Sequence, residues 1–231
     1  MTWWHILLWI IVPYVAMAVF VVGHWWRYRR DQFSWTSRST QLLDRRVLGW
    51  ASPAFHYGAL AAVGGHVIGL LIPASFTNAI GIDEHAYRWI AAIAGAIAGA
   101  VSLIGFLGLV YRRITSDRVR RNTTREDLLT YLLLTVLICL GCWMTFAHNL
   151  ATHAPYNYRP TIAHWWRSLF YLHPNVRAVL GAPTVYKVHA VIAWVFWGAF
   201  PFSRLVHAWS IPFQYLGRPY ILYRRRFQAA R

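Results

Sequence analysis

Four of the eleven histidines in this sequence, His56, His66, His189 and His207, lie in stretches apolar enough for a lipid interior. Ionisable side chains are costly in hydrocarbon and mark functional positions there. An imidazole at such a depth can relay protons or ligate a metal. A proton relay usually recruits Asp or Glu, and all seven acids lie in loops or at helix ends. Zinc asks for four ligands or for an open catalytic position, and no carboxylate or thiolate stands level with these histidines. Haem b fits the pattern better. Its iron takes an imidazole on each axial side, its porphyrin fills apolar space between helices, and its propionates reach a polar boundary. The other seven histidines (His5, His24, His85, His148, His153, His164 and His173) sit in loops or near helix ends, where a solvated or interfacial imidazole is the expectation.

Composition names the elements that must hold the four. The chain has 231 residues, 58% of them hydrophobic and only 13% charged, unlike a soluble globular domain. Five nearly charge-free stretches are each about 20 residues long, enough for an α-helix to cross roughly 30 Å of hydrocarbon. They predict an all-α integral membrane protein with helices near 3–22, 51–72, 89–110, 128–147 and 185–205, forming one domain over 1–231. The first stretch lacks Lys and Arg before its apolar run and carries WWRYRR after it. It therefore reads as a retained helix rather than a signal peptide. Six Lys and Arg fall in 27–46, one in 72–88, six in 111–127, four in 147–187 and six in 204–231. Basic and poor loops alternate, which predicts an external N-terminus and a cytoplasmic C-terminus. The net charge of +16 then reflects topology and attraction to anionic lipid and acidic partner subunits, with no nucleic acid involved.

At 1.5 Å of rise per residue, His56 lies about 8 Å and His66 about 22 Å from the inner end of the second helix. The fifth helix runs the other way, so His189 falls near its outer end and His207 about 27 Å further in. Antiparallel packing sets His66 level with His189 and His56 level with His207. Eighteen residues is a whole number of turns, so His189 and His207 share a face unless Pro201 bends the helix. The mean spacing of 14 residues, about 21 Å of rise, predicts two haems stacked across the bilayer. Gly58, Gly64, Gly65 and Gly69 would let a macrocycle approach the backbone, whereas Gly95 and Gly99 form a GxxxG for helix contact. Cys139 and Cys142 make a CxxC with no second pair, and Trp143 stands where c-type haem attachment needs His. They read as buried, reduced and inert. Trp3, Trp4, Trp25, Trp26, Trp50, Trp89, Trp165, Trp166 and Trp209 fall at the predicted boundaries, as anchors would.

With PYVAMAVFVVGHWWRYRRDQFSW, SPAFHYGAL, GGHVIGLLIP and PFSRLVHAWSIPFQYL in place, the chain resembles the γ subunit of respiratory nitrate reductase over essentially its whole length. That family is the dihaem cytochrome b membrane anchor of its complex. The resemblance carries the haem ligands onto His56, His66, His189 and His207, paired as above. It implies a multi-pass protein of the cytoplasmic membrane that oxidises menaquinol or ubiquinol near the outer haem. Electrons would pass inward to an iron–sulfur β subunit and a molybdenum-cofactor α subunit that reduces nitrate, so no nitrate-reducing site belongs to this chain. Inward electron travel works against the membrane potential, at about 2.3 kcal/mol per 100 mV, so the outer haem is expected to have the lower potential.

Some family members carry a quinol-linked lysine after the second helix, where an ungapped reading places Ala86. The quinol-site candidates are therefore Gly65, His66, His85 and Arg88. Arg204, with Arg224, Arg225 and Arg226, would dock the partner or hold an inner propionate, and Lys187 an outer one. Two other readings are a dihaem anchor of a sulfite-reductase-associated or heterodisulfide-reductase-like complex, and a haem-free scaffold or transporter. The co-purifying soluble partner separates the first, and colourless protein tolerant of His66→Ala would mark the second.

Overall fold

A chain in hydrocarbon must satisfy its backbone polar groups internally, and apolar runs of this length do so as helices. The computed structural model describes residues 2–152, 155–210 and 217–219. Five helices in it are long and apolar enough to span a membrane: α1 (Trp3–Arg30), α2 (Leu48–Leu71), α3 (Glu84–Thr115), α4 (Arg125–Leu150) and α5 (Thr184–Phe202). No strand occurs among the described residues. Successive spans run antiparallel, so one end of the bundle, the Trp3 face, carries the start of α1, and the other, the Arg30 face, its end.

The spans differ from expectation mainly at their ends. WWRYRR continues α1 to Arg30 instead of leaving the helix near residue 22. The fifth helix stops short: its α-helical part ends at Ala199, a 3₁₀ turn covers Phe200–Phe202, and Ser203 is extended. Pro201 brings no N–H to a helical ladder and Ser203 has ψ 174°, so His207 sits on a separate 3₁₀ segment, Arg204–Trp209. The expectation of one continuous helix near 185–205, with His189 and His207 on a shared face, is corrected accordingly.

Proline also shapes α1. Pro13 cannot donate to the carbonyl of Trp9, four residues back, and a π-helical turn occupies Leu7–Ile11. The freed carbonyl accepts instead from the indole N–H of Trp165, at 3.0 Å. Trp165 is fully buried, edge-on to Trp9, so it is a core residue and no boundary anchor.

In the bundle, α5 packs on α1 and α4, α4 also on α3, and α3 most closely on α2. The α2–α3 seam is built of small residues. A Cβ on Gly105 would come within 2.7 Å of the Phe55 Cα, and one on Gly58 within 2.7 Å of the Ser102 Cα. Close backbone approach of this kind holds helices together where apolar burial against lipid gives no net drive. The seam leaves Gly58 no role facing a macrocycle, and Gly69 meets Tyr158, which corrects both expectations. Gly95 and Gly99 do serve helix contact, lying against Thr145 and Cys142 of α4.

The long connection after α4 contributes to the core. Ile162, Trp165, Leu169, Val176 and Val179 of this segment pack with Trp9 and Ala16 of α1 and Trp194 of α5. The helix His164–Phe170 is therefore embedded in the protein at its Trp165 and Leu169 positions. Arg167 donates to the carbonyl of Leu70, 2.8 Å away, which seats the segment on the last turn of α2.

Candidate functional site

Between α2 and α5 the backbones make no contact as close as those of the other neighbouring helices among the described residues. Imidazoles meet across that gap. The His66 and His189 rings lie 6.1 Å apart between centroids with planes 12° apart, toward the Trp3 face. The His56 and His207 rings lie 6.0 Å apart with planes at 67°, toward the Arg30 face. These are the two pairs that helix depth matched. The break in α5 still delivers His207, through the 3₁₀ segment.

The hydrogen bonds of the rings set their tautomers. Nδ1 of His56 lies 2.7 Å from the Ser52 carbonyl, Nδ1 of His66 lies 2.7 Å from that of Ala62, and Nδ1 of His207 lies 2.6 Å from that of Arg204. A carbonyl only accepts, so each Nδ1 carries the proton and each Nε2 keeps a lone pair. That arrangement is the usual support of a metal-ligating histidine. Nδ1 of His189 is buried and has no partner. His24 provides a contrast. Its Nδ1 donates to Phe20, but its Nε2 already accepts from the Trp209 indole at 2.9 Å.

Do these residues fit a haem? Imidazole nitrogen sits roughly 2 Å from a bound metal and the ring centre roughly 1 Å beyond, so two rings on one iron have centres roughly 6 Å apart. Both pairs meet that separation. Gly64 and Gly65 have nothing within 4 Å of where a Cβ would stand, so α2 presents bare backbone beside His66. Among the described residues no group of three or more His, Cys, Asp or Glu gathers, so the donors come as facing pairs. The residues fit a six-coordinate haem iron at each level.

The quinol-site candidates do not all converge. Gly65 and His66 share the open side of α2. His85 accepts from the Trp89 indole at 3.3 Å, and Arg88 stacks over the Trp89 ring at 4.7 Å. Arg88 and Trp89 line a separate pocket with Asn149, Leu150 and Ala151 at the end of α4. The backbone N–H of Ala86 is capped by Asp83 at 2.7 Å.

Sequence reasoning passed over a buried cluster beside the end of α2. Arg159 is 3% exposed; it donates to Glu84 at 3.1 Å and to Thr77 at 2.9 Å, and stacks over Tyr87 at 3.9 Å. Tyr87 and Tyr158 share a hydrogen bond of 3.0 Å. Burial pushes the Tyr158 hydroxyl above its ordinary pKa, so it stays neutral. The available signal was an arginine set among tyrosines in a long connection, which is weak.

A second group it passed over lies at the Arg30 face, around Asp127. The Arg204 guanidinium grips Asp127 through Nε at 2.6 Å and through Nη2, so Arg204 is engaged inside the protein. Its expected role at a partner surface or a propionate is corrected to that extent. Arg224, Arg225 and Arg226 lie outside the described residues. Lys187 donates to the Leu180 carbonyl at 3.4 Å. Cys139 and Cys142 are free thiols; Cys139 faces outward on α4, where burial was expected, and Cys142 meets α3 at Gly99.

Comparison with known proteins gives a consistent family. The model of the family described as Nitrate reductase gamma subunit matches residues 5–226. The nitrate reductase-like protein NarX of Mycobacterium tuberculosis is 46% identical over 95% of this chain, which spans only 34% of that protein's length. The nitrate reductase gamma chain of Bacillus subtilis is 40% identical, over 95% of this chain and 98% of its own. The respiratory nitrate reductase 1 gamma chain of Escherichia coli is 36% identical, over 94% and 95% respectively.

Proposed function

The chain belongs to the nitrate reductase gamma subunit family, and from that premise we propose that it is the quinol-oxidising cytochrome b subunit of a respiratory nitrate reductase. The observation that carries this reading is the pair of facing imidazole sets, at two depths of one bundle, with ring separations suited to one iron each. Bound there, two b haems supply one-electron carriers in series across the bilayer. The excess of Arg at the Arg30 face supports a cytoplasmic side for that face under the positive-inside rule. An iron–sulfur subunit would dock there and feed a molybdenum-containing subunit, and the chain would sit in the cytoplasmic membrane.

Each residue then has a task. His66 and His189 would hold the outer haem iron, and His56 and His207 the inner one. The Ser52, Ala62 and Arg204 carbonyls fix the rings and strengthen their Nε2 donation. Gly65 leaves room for a flat quinol ring beside His66, and His85 and Arg88 stand apart from it at the rim. The buried Arg159 cluster and the embedded 155–183 segment close the outer end of α2 against water. Quinol held beside His66 would give up two electrons and release two protons outward.

A dithionite-reduced minus oxidised spectrum with pyridine haemochrome quantification tests the reading. Two b haems per purified chain are expected, and well-folded colourless protein would overturn it. Gly65→Leu is expected to raise the KM for quinol at least about tenfold, the cost of about 1.4 kcal/mol in binding. An unchanged KM would move the quinol elsewhere. Cys139→Ser with Cys142→Ser should leave the haem spectrum as in the parent chain, because neither thiol approaches a histidine pair as a ligand would; loss of a haem would give the cysteines a role.

A further inference from the structure

The 3₁₀ segment that carries His207 is held from two sides by charged side chains buried among the helices. From α1, Arg27, 4% exposed, donates to the carbonyls of Pro201 at 2.5 Å and Ser203 at 2.8 Å, satisfying acceptors where the helical ladder is broken. Its other contacts, to Ser34 Oγ at 3.0 Å and to the Ser34 carbonyl at 2.7 Å, tie in the following loop. From α4, Asp127 is 1% exposed and stands at the third helical position in a capping box with Thr124. It receives the forked guanidinium of Arg204, and Arg113 at 3.4 Å. The Arg204 carbonyl in turn accepts from Nδ1 of His207 at 2.6 Å. So one chain of contacts runs from the Asp127 carboxylate through Arg204 to the His207 ring.

We propose that Asp127 is a positioning residue for His207, acting through Arg204 to fix the ring and its Nδ1–H bond, with Arg27 as the second brace. This rests on the haem-ligand reading of His207. A fork of two parallel N–H···O bonds fixes orientation as a single ammonium cannot. Buried ion pairs contribute little net stability but do fix geometry. Without that hold, the 3₁₀ segment keeps its ties through Arg27, Ser203 and the Trp209–His24 contact but loses its anchor at Arg204 itself, so the Nδ1–H bond to Arg204 lengthens and the imidazole becomes a weaker donor to iron. A weaker donor stabilises oxidised iron less, which raises the reduction potential of that haem alone.

Redox titration of the intact complex, following each haem by its optical band, decides the matter. The first variant is Arg204→Lys, which keeps the net charge and removes the fork. It is expected to raise the potential of the His56/His207 haem, to broaden its band and to leave the His66/His189 haem unmoved. Asp127→Asn is expected to shift the same haem further, and Asp127→Glu, which keeps charge and both acceptor oxygens, to restore it towards the parent value. An Arg204→Lys potential identical to the parent overturns the proposal, because charge alone then explains any Asp127→Asn shift. Equal displacement or equal loss of both haems also overturns it, as the effect is then on folding. If Asp127→Asn does not assemble, the Arg204→Lys titration still decides. A parent chain without haem is a failure of the haem reading itself, seen before any variant is made.

Discussion

Alanine at His66 is expected to take the haem content from two per chain to one and to abolish quinol-driven electron delivery. Loss of even an outer-shell partner of a metal ligand typically costs 10–100-fold in affinity. Removal of an axial ligand in a dry site costs more, so quinol oxidation should fall at least about 100-fold. The pairing makes a sharper claim than the loss. His66 and His189 face each other at 6.1 Å, so His66→Ala and His189→Ala should remove the same haem, and the double variant should keep one, as either single variant does. His66→Ala with His56→Ala, drawn from different pairs, should lose both. Non-additivity within a pair and additivity across pairs is the signature of shared partners. Pyridine haemochrome counts on the four variants check it, and a His66/His189 double variant with no haem would break the pairing.

Leucine at Gly105 is the second large effect. Even a Cβ at that position would lie 2.7 Å from the Phe55 Cα and 2.9 Å from the Ala51 carbonyl, both backbone atoms that cannot swing aside. Overpacking of well-fitted interiors costs about 1–3 kcal/mol, and a helix seam without a yielding side chain belongs at the top of that range or above it. Phe55 precedes His56, so spreading the seam carries His56 away from His207. The expected result is a lowered thermal midpoint in detergent together with preferential loss of the His56/His207 haem. Leucine at Gly49, where nothing lies within 4 Å of a Cβ, should leave the midpoint within about 0.5 kcal/mol of parent stability, as for a surface change. Equal midpoints for the two variants would contradict the seam.

How far could the sequence be read? The spans were legible because hydrocarbon permits few backbone solutions, so apolar length alone selects a helix. The two histidine levels were legible for the same reason: on a regular helix, position is depth. What failed was local. Ser203 ended the ladder near Pro201, which composition could suggest but not place, and the arithmetic linking His189 to His207 by whole turns no longer applied. Trp165 looked like a boundary anchor because its type favours boundaries, while the carbonyl released by Pro13 had drawn it inside. Arg27, Arg204 and Asp127 were invisible as a unit, since their association depends on three helix ends meeting, and charge at a helix end ordinarily means solvent. The glycines divided likewise: Gly64 and Gly65 look into open space while Gly58 is spent on packing, a distinction that needs rotation angles and not spacing.

The bracing of His207 from α1 and α4 has a consequence for biogenesis. A chain threaded into the membrane from its N-terminus presents Arg27 first, Asp127 later and the His207 segment last. One histidine pair joins α2 to α5 and the other joins α2 to the 3₁₀ segment beyond it, so a nascent chain halted before its final span offers unpaired imidazoles and no complete site. Under the haem-ligand reading, capture would wait for chains that have finished insertion, and a truncated chain would lack a complete site at either level.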